Sequence, residues 1–205
     1  AAITIGTTSG KLHETSPVSM RQQHPSPHAY SDLRDGVRAV VMPFDSRYWQ
    51  QLDEARAFPD AFVKALTDAG WLSALIPEEY GGSNLSLTEA SVVMEEINRA
   101  GGNSGACHGQ MYVMGCVVRH GSEKQKQDLL PRIARGEIRM QSMAVTEPST
   151  GSDTTKLKTV AVRRGDHYVV TGQKVWTSRL QHSDYMLLLA RTTPLAEVKK
   201  KSEGL

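Results

Sequence analysis

The period of the apolar positions divides the chain in two. Between Tyr30 and Gly136 they recur at helical spacing. Phe62, Ala65, Leu66 and Ala69 follow the i, i+3, i+4, i+7 pattern with Gly70 as a natural stop, and Ala90, Val93, Met94 and Ile97 repeat it. Ser86 and Glu89, ahead of the second stripe, have the spacing of a capping box, in which hydroxyl and carboxylate satisfy each other's free N–H groups. Ser122 and Gln125 have that spacing again. Pro77-Glu78-Glu79-Tyr80-Gly81-Gly82 carries Pro and Gly punctuation and reads as a loop.

Beyond Gly136 β-branched residues and short spacing take over, and 154–162, 168–176 and 185–190 read as strands. Arg164-Gly165-Asp166 separates the first two as a hairpin turn would, which makes their pairing antiparallel. No βαβ alternation is present, so a Rossmann arrangement is not expected. The expected fold class is α+β and multidomain: an all-α domain over 30–136, then an antiparallel β domain over 137–205. Residues 1–29, rich in Ser, Thr, Pro and His and without either period, read as a flexible tail. A further strand candidate starts at Leu205 after a turn, so the β domain is expected to be truncated, with an unpartnered edge.

Composition narrows the function classes. A chain of 205 residues with 39% hydrophobic and 22% charged residues has the profile of a folded globular protein. A net charge of +2 does not argue for nucleic acid, and Arg191 with Lys199-Lys200-Lys201 beside Ser202-Glu203-Gly204 reads as a solvated turn. Cys107 and Cys116 share one apolar stretch with no CxxC and no spaced His pair, so free buried thiols are expected and no metal site. Free thiols fit a reducing compartment, the cytoplasm or alternatively the mitochondrial matrix. No apolar run approaches the roughly 20 residues of a membrane span. The tail lacks the apolar region of a secretory signal; a weak transit peptide, or a start at Met20 behind an expression remnant, stays open.

Glycine-rich phosphate signatures of the GxGxxG and GxxxxGK[ST] types are absent, so a nucleotide cofactor needs another device. The first candidate is the run from Met143 to Asp153. Pro148 forces Glu147 into an extended conformation, and Ser149-Thr150-Gly151-Ser152 offers hydroxyls and accessible N–H groups suited to an anion or a flavin edge. An exposed connecting turn uses the same residues, so both readings stand. The second candidate is Gly172-Gln173-Lys174-Val175-Trp176-Thr177-Ser178. Trp176 is expected to end a strand, presenting a flat π surface and neighbouring hydroxyls to a planar heterocycle, or else to be a core residue capped by a polar turn.

Taken together, Thr146-Glu147-Pro148, Gly151-Ser152-Asp153, a β-hairpin and Gly172-Gln173-Lys174-Val175-Trp176 resemble the acyl-CoA dehydrogenase flavoproteins. The resemblance extends through Gly70-Trp71-Leu72, Ile76 to Gly82, Glu95-Glu96, His120 to Gln125, Leu129-Leu130-Pro131 and Gly136-Glu137, and covers the chain from about Leu33 onward. It implies FAD as cofactor. Thr146, with Met143, Ala144 and Val145 lining it, would hold the pyrimidine end of the flavin. Gly151 and Ser152 would meet the pyrophosphate, with Ser152 also beside the CoA substrate. Trp176 and Thr177 would pack at the isoalloxazine, and the Ser178 hydroxyl would face N5. Three departures stand out: Ser178 where Thr is usual, Arg179-Leu180-Gln181 in place of a small Gly-containing turn, and Ser149 and Thr150 where Gly is common.

The implied reaction is α,β-dehydrogenation of an acyl-CoA thioester: a Glu takes the α proton and flavin N5 takes the β hydrogen as hydride. No residue of this chain matches that base, which the family carries in a C-terminal helical domain; Glu78, Glu79, Glu95 and Glu96 read as solvated or structural. The chain alone is therefore expected to bind FAD weakly and to show no flavin bleaching with acyl-CoA. Implied partners are the acyl-CoA, an electron-transfer flavoprotein as acceptor, and further copies in a homodimer or homotetramer, with no nucleic acid. An acyl-CoA oxidase or flavin monooxygenase of the same fold, or a non-catalytic binding or assembly protein, is the alternative.

Overall fold

The computed structural model describes residues 30–205; the tail read over 1–29 lies outside the described residues. Seven helices come first: α1 (Ser31–Val41), α2 (Ser46–Ala55), α3 (Asp60–Asp68), α4 (Leu87–Arg99), α5 (Gly105–Val113), α6 (Gly115–His120) and α7 (Glu123–Ala134). In α3 the buried stripe is Phe62, Val63 and Leu66. Ala69 is exposed and caps the helix, and Gly70 takes the left-handed φ of 79° that ends it. Both capping boxes form, Ser86 with Glu89 on α4 and Ser122 with Gln125 on α7. Ser122→Ala should therefore cost about 1 kcal/mol of stability, read as a lower midpoint in urea denaturation.

The helices enclose two apolar clusters. One joins Val37 and Val41 of α1, Phe62 and Leu66 of α3, Val93 and Ile97 of α4 and Met111 of α5. The other joins Val113, Met114 and Val117 to Leu129, Leu130 and Ile133 of α7, with Ile138 and Met140 from the segment that follows. Glu96 is buried between the helices, where Arg34 Nη1 (3.2 Å) and Arg38 Nη2 (2.7 Å) donate to it. Glu95 pairs with Arg34 and Arg99. These two carboxylates fasten α1 to α4, a structural role.

The β-rich part contains β1 (Ser142–Ala144), β2 (Val160–Arg164), β3 (His167–Thr171) and β4 (Met186–Leu188). The hairpin forms as expected, antiparallel, with Arg164 opposite His167 across Gly165-Asp166. The other pair differs from the antiparallel expectation: β1 and β4 run parallel, Ser142 opposite Met186 and Ala144 opposite Leu188. Over forty residues separate the two strands in sequence, the long crossover that parallel pairing requires. β1 is only three residues long, too short for a period-2 signal.

The strand expected over 154–162 begins at Val160. Thr154–Lys156 is instead a 3-10 turn, because the Asp153 carboxylate accepts from the Thr155 hydroxyl (2.5 Å) and N–H (3.3 Å). The strand expected over 168–176 leaves the ladder after Thr171, and Leu205 starts no strand. Arg191, expected in a solvated turn, is buried: its guanidinium donates to the carbonyls of Thr155, Lys201 and Glu203 and ties the last turn to the body.

The two parts are joined by side chains that bind backbone. The Gln110 amide donates to Ile138 O (3.1 Å) and accepts from Met140 N (3.0 Å), and Asp184 accepts from Arg139 N (2.7 Å). Gly109 admits this contact, since a Cβ there would lie 2.8 Å from Gln141 O. β1 is thereby set directly against α5.

Candidate functional site

The wall is built from β1 outward. Ala144 points into the body and Met143 out of it, as period-2 alternation demands, and Val145 and Thr146 continue half-buried. At Glu147 the chain closes a four-residue turn, with reciprocal backbone bonds between Glu147 and Thr150 of 2.8 and 3.1 Å. Gly151 and Ser152 follow, exposed.

Glu147 turns back into the protein. Its carboxylate accepts from Lys158 N (2.6 Å), Thr159 N (2.8 Å) and Lys174 Nζ (3.0 Å). Burial acts to raise its pKa, but the donors from Thr159, Lys158 and Lys174 outweigh it and hold the carboxyl down at about 2. Lys174 Nζ also donates to Val145 O at 2.9 Å. A buried ion pair thus clamps the segment after β1 to the segment after β3.

That clamp explains why β3 stops. Lys174 has to face inward, and the Val175 N–H leaves the ladder to donate to Thr146 O at 2.9 Å. Gly172 is needed beside it, because a Cβ there would stand 2.7 Å from Thr159 Cα. The chain then turns over at Trp176, whose φ of 60° is the left-handed conformation that bulky residues rarely adopt. Trp176 is 88% exposed and lies beyond the end of β3 at Thr171, so its reading as a capped core residue or a strand end does not hold. Thr177 is half-buried and Ser178 exposed, and Ser178 O accepts from Ser142 Oγ at 2.9 Å.

The structure therefore joins Thr146 to the segment carrying Trp176, Thr177 and Ser178 through three devices: the Val175 bond, the Lys174 clamp and the Ser142 bond. Among the described residues no hydrogen bond joins Gly151 or Ser152 to Trp176, Thr177 or Ser178. Sequence reasoning missed Glu147, Lys174 and Ser142 as site builders. Two lay inside the quoted motifs, yet nothing in the spacing says that residues 27 apart will pair. Two clefts, of about 450 and 300 Å³, lie away from this wall, one beside Arg38, Trp49 and Arg99, the other beside Lys64, Arg139 and Gln141.

Comparison with known proteins agrees with this layout. The acyl-CoA dehydrogenase N-terminal domain model matches residues 28–137, and the acyl-CoA dehydrogenase middle domain model matches 142–204. The mitochondrial isovaleryl-CoA dehydrogenase of Bos taurus is 36% identical over 164 residues, 78% of this chain and 38% of that protein. Acyl-CoA dehydrogenase FadE26 of Mycobacterium tuberculosis is 38% identical over 143 residues, 66% of this chain and 34% of that protein. The crystal structure of acyl-CoA dehydrogenase from Geobacillus kaustophilus superposes with a TM-score of 0.75 at 28% identity, covering 91% of this chain and 47% of that one. The chain thus spans less than half the length of each of these proteins. With the two domain models matched in order on either side of the Gln110 junction, the chain belongs to the acyl-CoA dehydrogenase family.

Proposed function

We propose that this chain forms the flavin-facing wall of an FAD-dependent acyl-CoA dehydrogenase that introduces an α,β double bond into an acyl-CoA thioester. The observation that carries the reading is Trp176: an indole 88% exposed, in a strained left-handed conformation, on a segment clamped to Thr146. Folding alone gives no reason to hold a large apolar ring outside the core, and a planar heterocycle laid against it does. The residues present fit such a ring: Met143 to Thr146 and the adjoining Trp176, Thr177 and Ser178 would hold it. FAD bound there would accept the β hydrogen as hydride at N5.

The chain's own groups position and orient. Thr146 would hold the pyrimidine end, the Ser178 hydroxyl would face the hydride-accepting edge, and Ser152, with Gly151, would meet the pyrophosphate beside the CoA. Glu147, the carboxylate built into the wall, is not the group that takes the α proton. Held at about 2 and bonded by three donors, it is too weak a base.

Several features support the wider expectations. Val162, Tyr168, Val169 and Val170 leave the hairpin with exposed apolar side chains, which suits a homodimer or homotetramer. Burial pushes the Cys107 thiol up to about 12, and both cysteines are free, in keeping with the cytoplasm or the mitochondrial matrix. Among the described residues no helix is long and apolar enough to cross a membrane. An electron-transfer flavoprotein is the acceptor this reading names.

Flavin absorbance and tryptophan quenching on titration with FAD test the reading. Trp176→Ala should weaken FAD binding by roughly tenfold, the worth of one stacked aromatic, with a nearly unchanged urea midpoint because the side chain is largely exposed. Failure of the folded chain to bind FAD, or equal affinity in the variant, would contradict it. The former outcome favours a non-catalytic binding or assembly protein.

A further inference from the structure

Arg179 follows the last wall residue and holds a left-handed φ of 58°. Its backbone carbonyl is occupied, accepting from His182 N and Ser183 Oγ, each at 3.0 Å. Its guanidinium is not. Among the described residues it is the half-buried arginine without a carboxylate or carbonyl partner: Arg132 and Arg139 are both ion-paired.

The side chain reaches across the junction to the start of α5. Its Nη2 lies 3.1 Å from the point where a Gly105 side chain would stand, and Asn103 Oδ1 lies 2.9 Å from that point. The missing side chain of Gly105 is what admits the guanidinium. No acidic residue occupies the first turn of α5 to balance it. A cation kept half out of water with no partner is poised for an anion supplied from outside the described residues.

The place of Arg179 decides which anion. On the flavin-wall reading the cofactor pyrophosphate belongs at Ser152, on another loop, and the pyrimidine end of the ring at Thr146. Ser178 marks the edge that receives the hydride, and the substrate carbon that gives it up must lie against that edge. The acyl chain is then the part of the complex that continues past Ser178 toward Arg179 and α5. We propose that Arg179 sets substrate specificity by pairing with a carboxylate carried on the acyl chain, so that the preferred substrate is the CoA thioester of a dicarboxylic acid. This rests on the flavin-wall reading above.

The test compares the FAD-loaded protein and its Arg179→Gln and Arg179→Lys variants. The probes are CoA thioesters of the dicarboxylic acids from butanedioic to octanedioic, each set against the monocarboxylic thioester of equal length. Binding is read by calorimetry and by perturbation of the flavin spectrum. The wild-type protein should bind at least one carboxylated thioester roughly ten- to a hundredfold more tightly than its neutral match, the effect of one charge-assisted hydrogen-bonded pair. Arg179→Gln should erase that preference while leaving the neutral thioester nearly unchanged, and Arg179→Lys should restore part of it.

Neutral thioesters that bind as well as carboxylated ones at every length would overturn the assignment of Arg179 alone. Equal weakening of both classes by Arg179→Gln would overturn it too, by showing a purely structural role. Absence of any spectral response to any thioester would sink the flavin-wall reading, and this inference with it.

Discussion

Lys174→Met is expected to destabilise the protein by about 3 kcal/mol or more and to weaken FAD binding at the same time. The ammonium is nearly buried and bonds both Glu147 Oε1 and Val145 O, so its removal leaves a buried carboxylate with two backbone donors and an unpaired carbonyl. The same loss unfastens the segment carrying Trp176 from the one carrying Thr146. Urea denaturation and FAD titration on one preparation should register both effects.

The pH dependence follows with a definite sign. The Glu147 carboxyl is held at about 2 in the folded protein against an ordinary value of 4.5. A lowered folded-state pKa contributes stability that is present above the ordinary value and lost as pH falls from there toward 2. The wild-type urea midpoint should therefore decline through that interval. In Lys174→Met one of the donors that hold the carboxyl down is gone, so the decline should be smaller and should level off at a higher pH than in the wild-type protein.

Glu96→Ala should cost about as much stability, because it leaves the buried Arg34 short of one carboxylate and takes the Glu96 carboxylate from Arg38. Its effect on function should be opposite. Glu96 fastens α1 to α4 and touches nothing in the wall, so the folded fraction should keep its FAD affinity. A protein that loses stability in both variants but FAD affinity only in Lys174→Met separates the clamp at the site from the clamp in the helical part. Parallel loss of affinity in both would mean that Lys174 acts through global stability alone.

Local signals were the legible ones. The helices α3 and α4, both capping boxes and the hairpin around Gly165 are fixed by neighbours a few residues apart, and they appear where the pattern puts them, although the buried stripe of α3 takes in Val63 and leaves Ala69 exposed. The parallel pairing of β1 with β4 depends on strands too short to show a period and on a crossover of over forty residues, so no local pattern carries it. The same holds for the site. Thr146 and Trp176 were visible as residue types, but the exposure of Trp176 follows from the Glu147–Lys174 pair, which forms only once the chain has turned back on itself. Arg191 fails as a surface residue for a related reason: its partners are carbonyls, which the sequence does not distinguish.

The central claim is that the surface joining Thr146 to Ser178 is where a flavin lies. A crystal structure of the protein grown with FAD tests it most directly. The account predicts the isoalloxazine against the Trp176 indole, its pyrimidine end at Thr146 and its N5 within hydrogen-bond distance of Ser178 Oγ. A flavin bound in another part of the molecule, with Trp176 still bare, would contradict it.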